Sequence, residues 1–482
     1  MPAWLSSHES VTFDPAPAEW CCRAAPTDHD LLAFRGELGL PTDRPVVMSG
    51  HQAAVWHAGI AAKVFALDAA GERFGAASAW VVVDQDLGAP GRVAYPSWKA
   101  EGGTGGSGSR APIRRTLDLL PAAPADVVTG RQGAQRPGSV ELDGGATRET
   151  RESIGRVAGA VAAHAGAESR AMQITRAALG LLGPVRRARS LEDGVPVLVS
   201  ALALSRTALF ARVLTAMRND ADACVATYNA AVTRHPDGRL RPLAATAPRS
   251  LELPLWRIDD AGRRHPVFVG DLGDTPPESL APRALAMTAL LRWGACDLFI
   301  HGLGGGRYDP VMERWLGEWL GVRDLAPAVV VSATRLLPMV DEPPPTPEQV
   351  AQARWAAHHA RHDPVIAVER EAGPARGDDA NGTGIKTLSV SDKKRELADA
   401  VAHATGPDRA ARFRAMHQWL AEQRAKRSDA IVALDARAAA LAEQADLAGV
   451  VFDRTWPFPL LPDASMRSLA DEIHAQVRSH PT

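Results

Sequence analysis

Short unbroken apolar runs alternate along the chain with longer segments whose apolar residues recur at helical spacing. Pro45–Met48, Ala79–Val83, Val195–Leu202, Asp297–Ile300 and Ala328–Ser332 read as strands buried on both faces. Between them, an Ala-rich helix is expected from about Ala53, carrying Trp56, Ile60, Val64 and Leu67 on one side. Arg151–Arg189, Ser205 to about Arg234, and Val311–Leu320 also read as helices, and Pro282 is placed to start another that carries Arg283 and Arg292. Leu251–Ile258 and His265–Val269 read as a strand pair near a sheet edge. Strand, helix, strand is a right-handed crossover almost without exception, so the first two strands are expected to be parallel. Residues 1–44 read as an irregular lead-in with a short helix around Asp30–Leu38.

Two stretches break this rhythm. Residues 100–150 are polar and rich in Gly and Pro, and Gly102–Gly108 cannot order unaided, so a mobile loop or insertion is expected there. From Pro343 the chain changes character. Thr346-Pro347-Glu348-Gln349 suits a helix start, Glu348–Arg361 is amphipathic, and Gly373–Gly384 reads as a loop. Ser391–Ala404 and Asp408–Leu447 are long, charged and rich in Ala and Leu, as in a helical hairpin or short coiled coil. Val451–Leu461 is apolar and Pro-broken and is expected to pack back on the core. The expected division is therefore an α/β core with a parallel sheet over 1–335, a helical hairpin over 343–450, and a returning segment over 451–482.

Composition narrows the class. A chain of 482 residues with 46% hydrophobic content is long enough for two or three domains. A net charge of −2 with no basic stripe argues against nucleic-acid partners. No segment approaches the length of a membrane span, and the opening residues have neither the basic start nor the apolar stretch of a signal peptide. Cys21, Cys22, Cys224 and Cys296 show no metal-ligand spacing, which with the absence of an export signal points to a reduced, cytoplasmic setting.

Candidate chemistry gathers where strands end. His51, Gln52, His57 and Lys63 follow the first strand, where α/β enzymes bind ligands and free helix amides attract anions. Their plain alternative is polar capping of a helix. The motif resembles part of the His-x-Gly-His phosphate turn of nucleotidylyltransferases, with Ile60 in place of the last histidine. Asp84 and Asp86, at the end of the second strand, suit a divalent cation or a substrate amine, or cap a turn. His301, the glycines through Gly304 and Gly305, and Arg307, Tyr308 and Asp309 repeat the first arrangement, and the glycines admit a ligand close to the backbone. This turn lacks the Gly-Lys-Ser/Thr of a Walker motif. Arg283 and Arg292 are candidates to clamp a carboxylate, or ordinary structural ion pairs. Cys296, within an apolar strand pattern, reads as a core residue, and the histidines of Trp355–His362 as a solvated helix face.

Taken together, these features resemble the bacillithiol-biosynthesis cysteine-adding enzyme (BshC) family over most of the chain. Ser49–Lys63 resembles that family's Gly-Gln-Gln turn and the helix after it. Ala79–Asp86 resembles its strand ending in acids, Pro282-Arg283 its Pro-Arg helix start, and Gly304–Tyr308 its late glycine turn. His51 in place of the first glutamine, His57-Ala58-Gly59, and Val83-Asp84-Gln85-Asp86 depart from the family pattern and mark a divergent relative. The resemblance implies a Rossmann-like core, inserted connecting segments and a dimerising coiled coil. It also implies ligase- or transferase-type condensation of an anionic small molecule with an amino acid, cysteine in that family. In this reading His51 and His301 contact anionic groups or move protons, and Asp84 and Asp86 hold an amine or a cation; ATP or another nucleotide with Mg²⁺ is the candidate cofactor. A nucleotidyltransferase-like enzyme and a non-catalytic dimeric scaffold are the rival readings.

Overall fold

A computed structural model describes residues 2–100, 110–186, 195–245, 251–273, 275–366 and 390–479. The chain divides into two units: Met1–Met339 with Asp453–Thr482, and Val340–Phe452. Among the described residues, no helix is long and apolar enough to cross a membrane.

The first unit is built on a six-stranded sheet. Its strands are β1 (Ser10–Asp14), β2 (Val46–His51), β3 (Ala77–Val82), β6 (Val197–Ser200), β10 (Leu298–His301) and β11 (Ala328–Thr334). The spatial order is β1-β11-β10-β2-β3-β6, all parallel except β1, which lies antiparallel on β11. The parallel strands are continuous apolar runs because helices cover both faces. On one face Val46, Met48, Ala79, Val81 and Phe299 share a core with Phe210, Val213, Leu285, Val311 and Trp315. On the other lies the helix Ala58–Phe74, itself covered by the helix Asp463–Arg478. The Ala58 helix is buried along most of its length, and its alanines let it sit close to the sheet.

Strand order reverses between β2 and β10. The chain leaves β2 for β3 and β6 on one side, and returns to β10 and β11 on the other. Helices leaving in opposite directions open a crevice at the carboxyl ends of these two strands. The register places them side by side, Ile300 opposite Ser49, so His51 and His301 emerge at the same edge. His51 is also level with Val82, two residues before Asp84.

Two antiparallel pieces are attached to this sheet unit. β4 (Arg92–Ala100) pairs with β5 (Arg110–Asp118), and β7 (Glu252–Ile258) pairs with β8 (Arg264–Phe268) and β9 (Leu280–Pro282). The second unit contains the helices Pro347–Ala360, Val390–Ala402, Gly406–Lys426 and Ser428–Asp446. Thr346 and Gln349 form a reciprocal cap at the first of these, and Ala353 and Ala357 pack against Ala438, Leu434 and Leu441.

Several expectations need correction. Ser49-Gly50 does not end the first strand, which runs on through His51. Gly50 is there for close packing: a side chain would meet the Val81 carbonyl at 2.6 Å. The following helix starts at Ala58 with His57 as its cap, because the chain first passes through an irregular run in which the Trp56 indole donates to the Gln52 carbonyl. The lead-in contains a strand, β1. Residues 100–150 are not one mobile loop. Part of the stretch is β5, paired with β4, and Val128, Thr129 and Gln132 are buried, Val128 against Ile258 and Ala281; residues 101–109 lie outside the described residues. The helical stretch from Ser205 is two helices, Ala208–Asn219 and Ala221–Arg234, divided at Asp220, whose carboxylate accepts from the Ala223 N–H. The stretch from Asp408 likewise divides at Arg427. The expected loop Gly373–Gly384 lies outside the described residues.

Candidate functional site

The crevice at the strand reversal is a cleft of about 640 Å³. Its walls come from the end of β2 (Gly50, His51, Gln52), the start of the Ala58 helix (His57, Gly59, Lys63), the end of β10 with its glycine turn (His301, Gly304, Gly305, Tyr308), and Arg454 from the returning segment. Among the described residues that line it none is acidic, and the nearby Asp453 acts on His57.

Lys63 forms part of the floor. It is one helical turn from the start of its helix, and its stem points back toward the sheet. The ammonium donates to the Gly50 carbonyl and lies 5.2 Å from the centre of the Trp80 ring. Burial lowers its pKa from 10.5 to about 7, with no charged neighbour to offset the effect.

The two neighbouring histidines are neutral at pH 7. Burial, followed by the Lys63 charge, pushes His51 down to about 3; burial, followed by Arg454 and Lys63, pushes His57 down to about 4. Their partners determine their tautomers. His51 Nδ1 is 3.1 Å from the Gln52 carbonyl, which can only accept, so Nε2 keeps a lone pair. His57 Nδ1 accepts from the Gly59 N–H at 3.1 Å, so its proton is on Nε2. The site therefore presents one histidine acceptor and one histidine donor. Arg454 is fixed beside them by donating to Ser332 Oγ at 2.8 Å and to the Ala333 carbonyl at 3.3 Å.

His301 stands across the cleft and is buried. Its Nε2 lies 2.9 Å from Asp309 Oδ2, and Arg292 Nη1 lies 3.3 Å from the same oxygen. Phe299 and Tyr308 pack against the imidazole ring. Gly305 permits this placement, since a side chain there would collide with His301 Nδ1. The Asp309 carboxylate thus backs the His301 ring at ion-pair distance, without a regular hydrogen bond between them. Tyr308 hydrogen-bonds Thr288, and burial raises its phenol pKa.

His51, Gln52, His57, Lys63, His301, Gly304, Gly305 and Tyr308 thus meet in one cleft, with Asp309 behind His301. The other candidates do not join them. Asp84 turns toward the end of β6, where it accepts from Ser200 Oγ at 2.5 Å and from the Leu202 N–H at 2.9 Å. It lines a separate cavity of about 320 Å³ with Arg131, Glu168 and Glu278, and burial raises its pKa. Asp86 pairs with Arg264 at 2.7 Å and accepts from Gln52 at 3.3 Å. The two carboxylates therefore do not form a shared cation or amine site, because each is already engaged in a different direction. Arg283 is held by Glu252 at 2.8 Å, stacked on Trp256; Arg292 is held by Asp309, Glu313 and the Ala326 carbonyl. Neither is free to clamp a substrate. Arg307 is exposed and is not among the residues lining the cleft. Among the described residues, no group of three or more His, Cys, Asp or Glu is placed to hold a metal ion.

Arg454, Ser332 and Thr288 escape the sequence reading. Only Arg454 had a usable signal, as the one cation in an apolar segment expected to return to the core. Neither a family model nor a curated protein matches the chain.

Proposed function

We propose that this protein is an enzyme with a Rossmann-like core that binds an anionic small molecule at the strand reversal. There it condenses that molecule with an amino acid, in a ligase- or transferase-type reaction of the BshC kind. The observation that carries the reading is a cleft, at the crevice where α/β sheets bind ligands, whose described lining includes Arg454 and Lys63 and no carboxylate. Arg454 and the His57 Nε2–H hold the anionic group, beside Lys63. His301 takes the proton released by the attacking nucleophile, and Asp309 steadies the imidazolium that results. The reading also includes a homodimer formed through a coiled coil of the second unit and a cytoplasmic setting. Exposed Phe413 and Val432 on the helical arm and four free cysteines agree with these.

Thiol metabolite profiling of a deletion strain, complemented by the wild-type or Asp309→Asn chain, tests the activity. A lost or accumulated thiol pool, restored only by the wild type, is expected; unchanged pools remove the thiol role. The strand order also favours a nucleotide as the anion. Its phosphates suit the basic lining, although the lining residues offer no carboxylate to a magnesium ion. A melting-temperature rise with ATP but not with malate or inorganic phosphate would select that second reading.

A further inference from the structure

Lys63 has the surroundings of a reacting amine. A buried lysine is ordinarily paired with a carboxylate. Lys63 is 3% exposed, yet its ammonium is held by one neutral acceptor, the Gly50 carbonyl of β2, and forms no ion pair among the described residues. From β3 it faces the Trp80 ring, and from the turn after β10 its stem lies beside Gly302. Of the ionisable groups in the cleft, His51 and His57 feel the Lys63 charge and are neutral at pH 7; Arg454 and, in the opposite sense, Asp453 act on His57, and His301 and Tyr308 line the same cleft. The Gly50 carbonyl and the Trp80 ring are its polar and π contacts, no carboxylate among the described lining residues neutralises its charge, and the cleft is open to a ligand.

We propose that Lys63 is an imine-forming lysine that takes an anionic carbonyl compound, such as an oxo acid or a phosphorylated aldehyde or ketone. The proposal rests on the anion-binding reading of the same cleft. The amine releases the Gly50 carbonyl, and its lone pair forms a C–N bond as the carbonyl π electrons move to oxygen. Both amine hydrogens then leave with that oxygen as water, giving the imine without an oxidant or other co-reactant. Desolvation supplies the free amine. Burial brings the Lys63 pKa down to about 7, so the free amine is accessible near neutral pH, where an ordinary lysine is almost wholly protonated.

Pyridoxal 5′-phosphate, an anionic aldehyde, is the probe. The full chain is incubated with it, reduced with borohydride, digested and mapped by mass spectrometry. The expected result is a phosphopyridoxyl group on Lys63, about tenfold or more above Lys393, Lys394 and Lys426, half-maximal near pH 7 and suppressed by inorganic phosphate. In a folded Lys63→Arg chain the adduct should disappear from that peptide. Label spread over the exposed lysines with Lys63 unmodified overturns the proposal. Calorimetry with phosphate separates the two ideas: retained phosphate binding without a Lys63 adduct ends only the imine, and loss of both ends the anion site as well.

Discussion

Gly304 and Gly305 are adjacent in the same turn, yet a methyl group means different things at each. At Gly304 it meets nothing within 4 Å, whereas at Gly305 it strikes the His301 imidazole, which is already confined by Phe299, Tyr308 and Asp309. Gly305→Ala should therefore cost about 1–3 kcal/mol and move His301 off Asp309, while Gly304→Ala should be nearly silent. Urea unfolding and the His301 ring resonances measure both effects; equal outcomes for the two variants would contradict the packing described. Lys63 gives a second prediction at this scale. Its folded pKa of about 7 lies below its ordinary 10.5, so between these values the unfolded chain binds more protons. Stability attributable to the neutral amine is full above about pH 10.5 and is lost as pH falls to about 7, by up to about 3–5 kcal/mol. Lys63→Met should flatten that slope. An identical pH dependence in the variant would mean that the amine is not desolvated in the fold.

In the helix that carries Lys63, the apolar face is plain in the sequence and the start is not. Its apolar face and that of the sheet were legible because burial on both sides leaves unbroken apolar runs, as in β2, β3, β10 and β11. Its start was not legible. Ala53–Trp56 has the composition of a helix, but the Gln52 carbonyl is engaged by the Trp56 indole, and the cap is His57, through a ring nitrogen; capping is legible for the polar group His51–Lys63, but not which of its members does it. β4 was hidden by Pro96 and by mixed polarity, which an edge hairpin tolerates and a central strand does not. In the site, the histidines and glycines were legible because the chain places them next to strand ends. Arg454 was not, since the long-range fold alone brings it to Ser332. The same was true of the Asp84 orientation, which depends on Ser200 and Leu202 arriving from β6. The cap itself can be tested: His57→Ala should cost about 1 kcal/mol, with His57→Asn recovering most of it, in thermal unfolding. Equal losses in the two would show that the ring's packing, and not its acceptor nitrogen, matters at that position.

At the scale of the molecule, the chain leaves the sheet unit after Met339 and re-enters it at Asp453, one residue before the arginine that completes the cleft. The two units hold their structure by different means. The sheet unit has a broad core with buried Trp56, Trp80, Trp315 and Trp456, whereas the described part of the second unit relies on small contacts such as Ala353, Ala357 and Ala438, and its helix Gly406–Lys426 buries only Gln423. Apolar area removed from water is the main term in stability, so the second unit should unfold first. Ligand linkage then distinguishes the transitions. An anion bound in the cleft stabilises only the state in which the cleft exists, by about 2.7 kcal/mol at a hundred times its dissociation constant. Calorimetric scans of the whole chain should show a lower transition that ignores added phosphate and an upper one that rises by a few degrees. Arg454→Ala should abolish the rise without merging the transitions. A phosphate effect confined to the lower transition would place the anion outside the sheet unit and remove the basis for assigning chemistry to His51, Lys63 and His301.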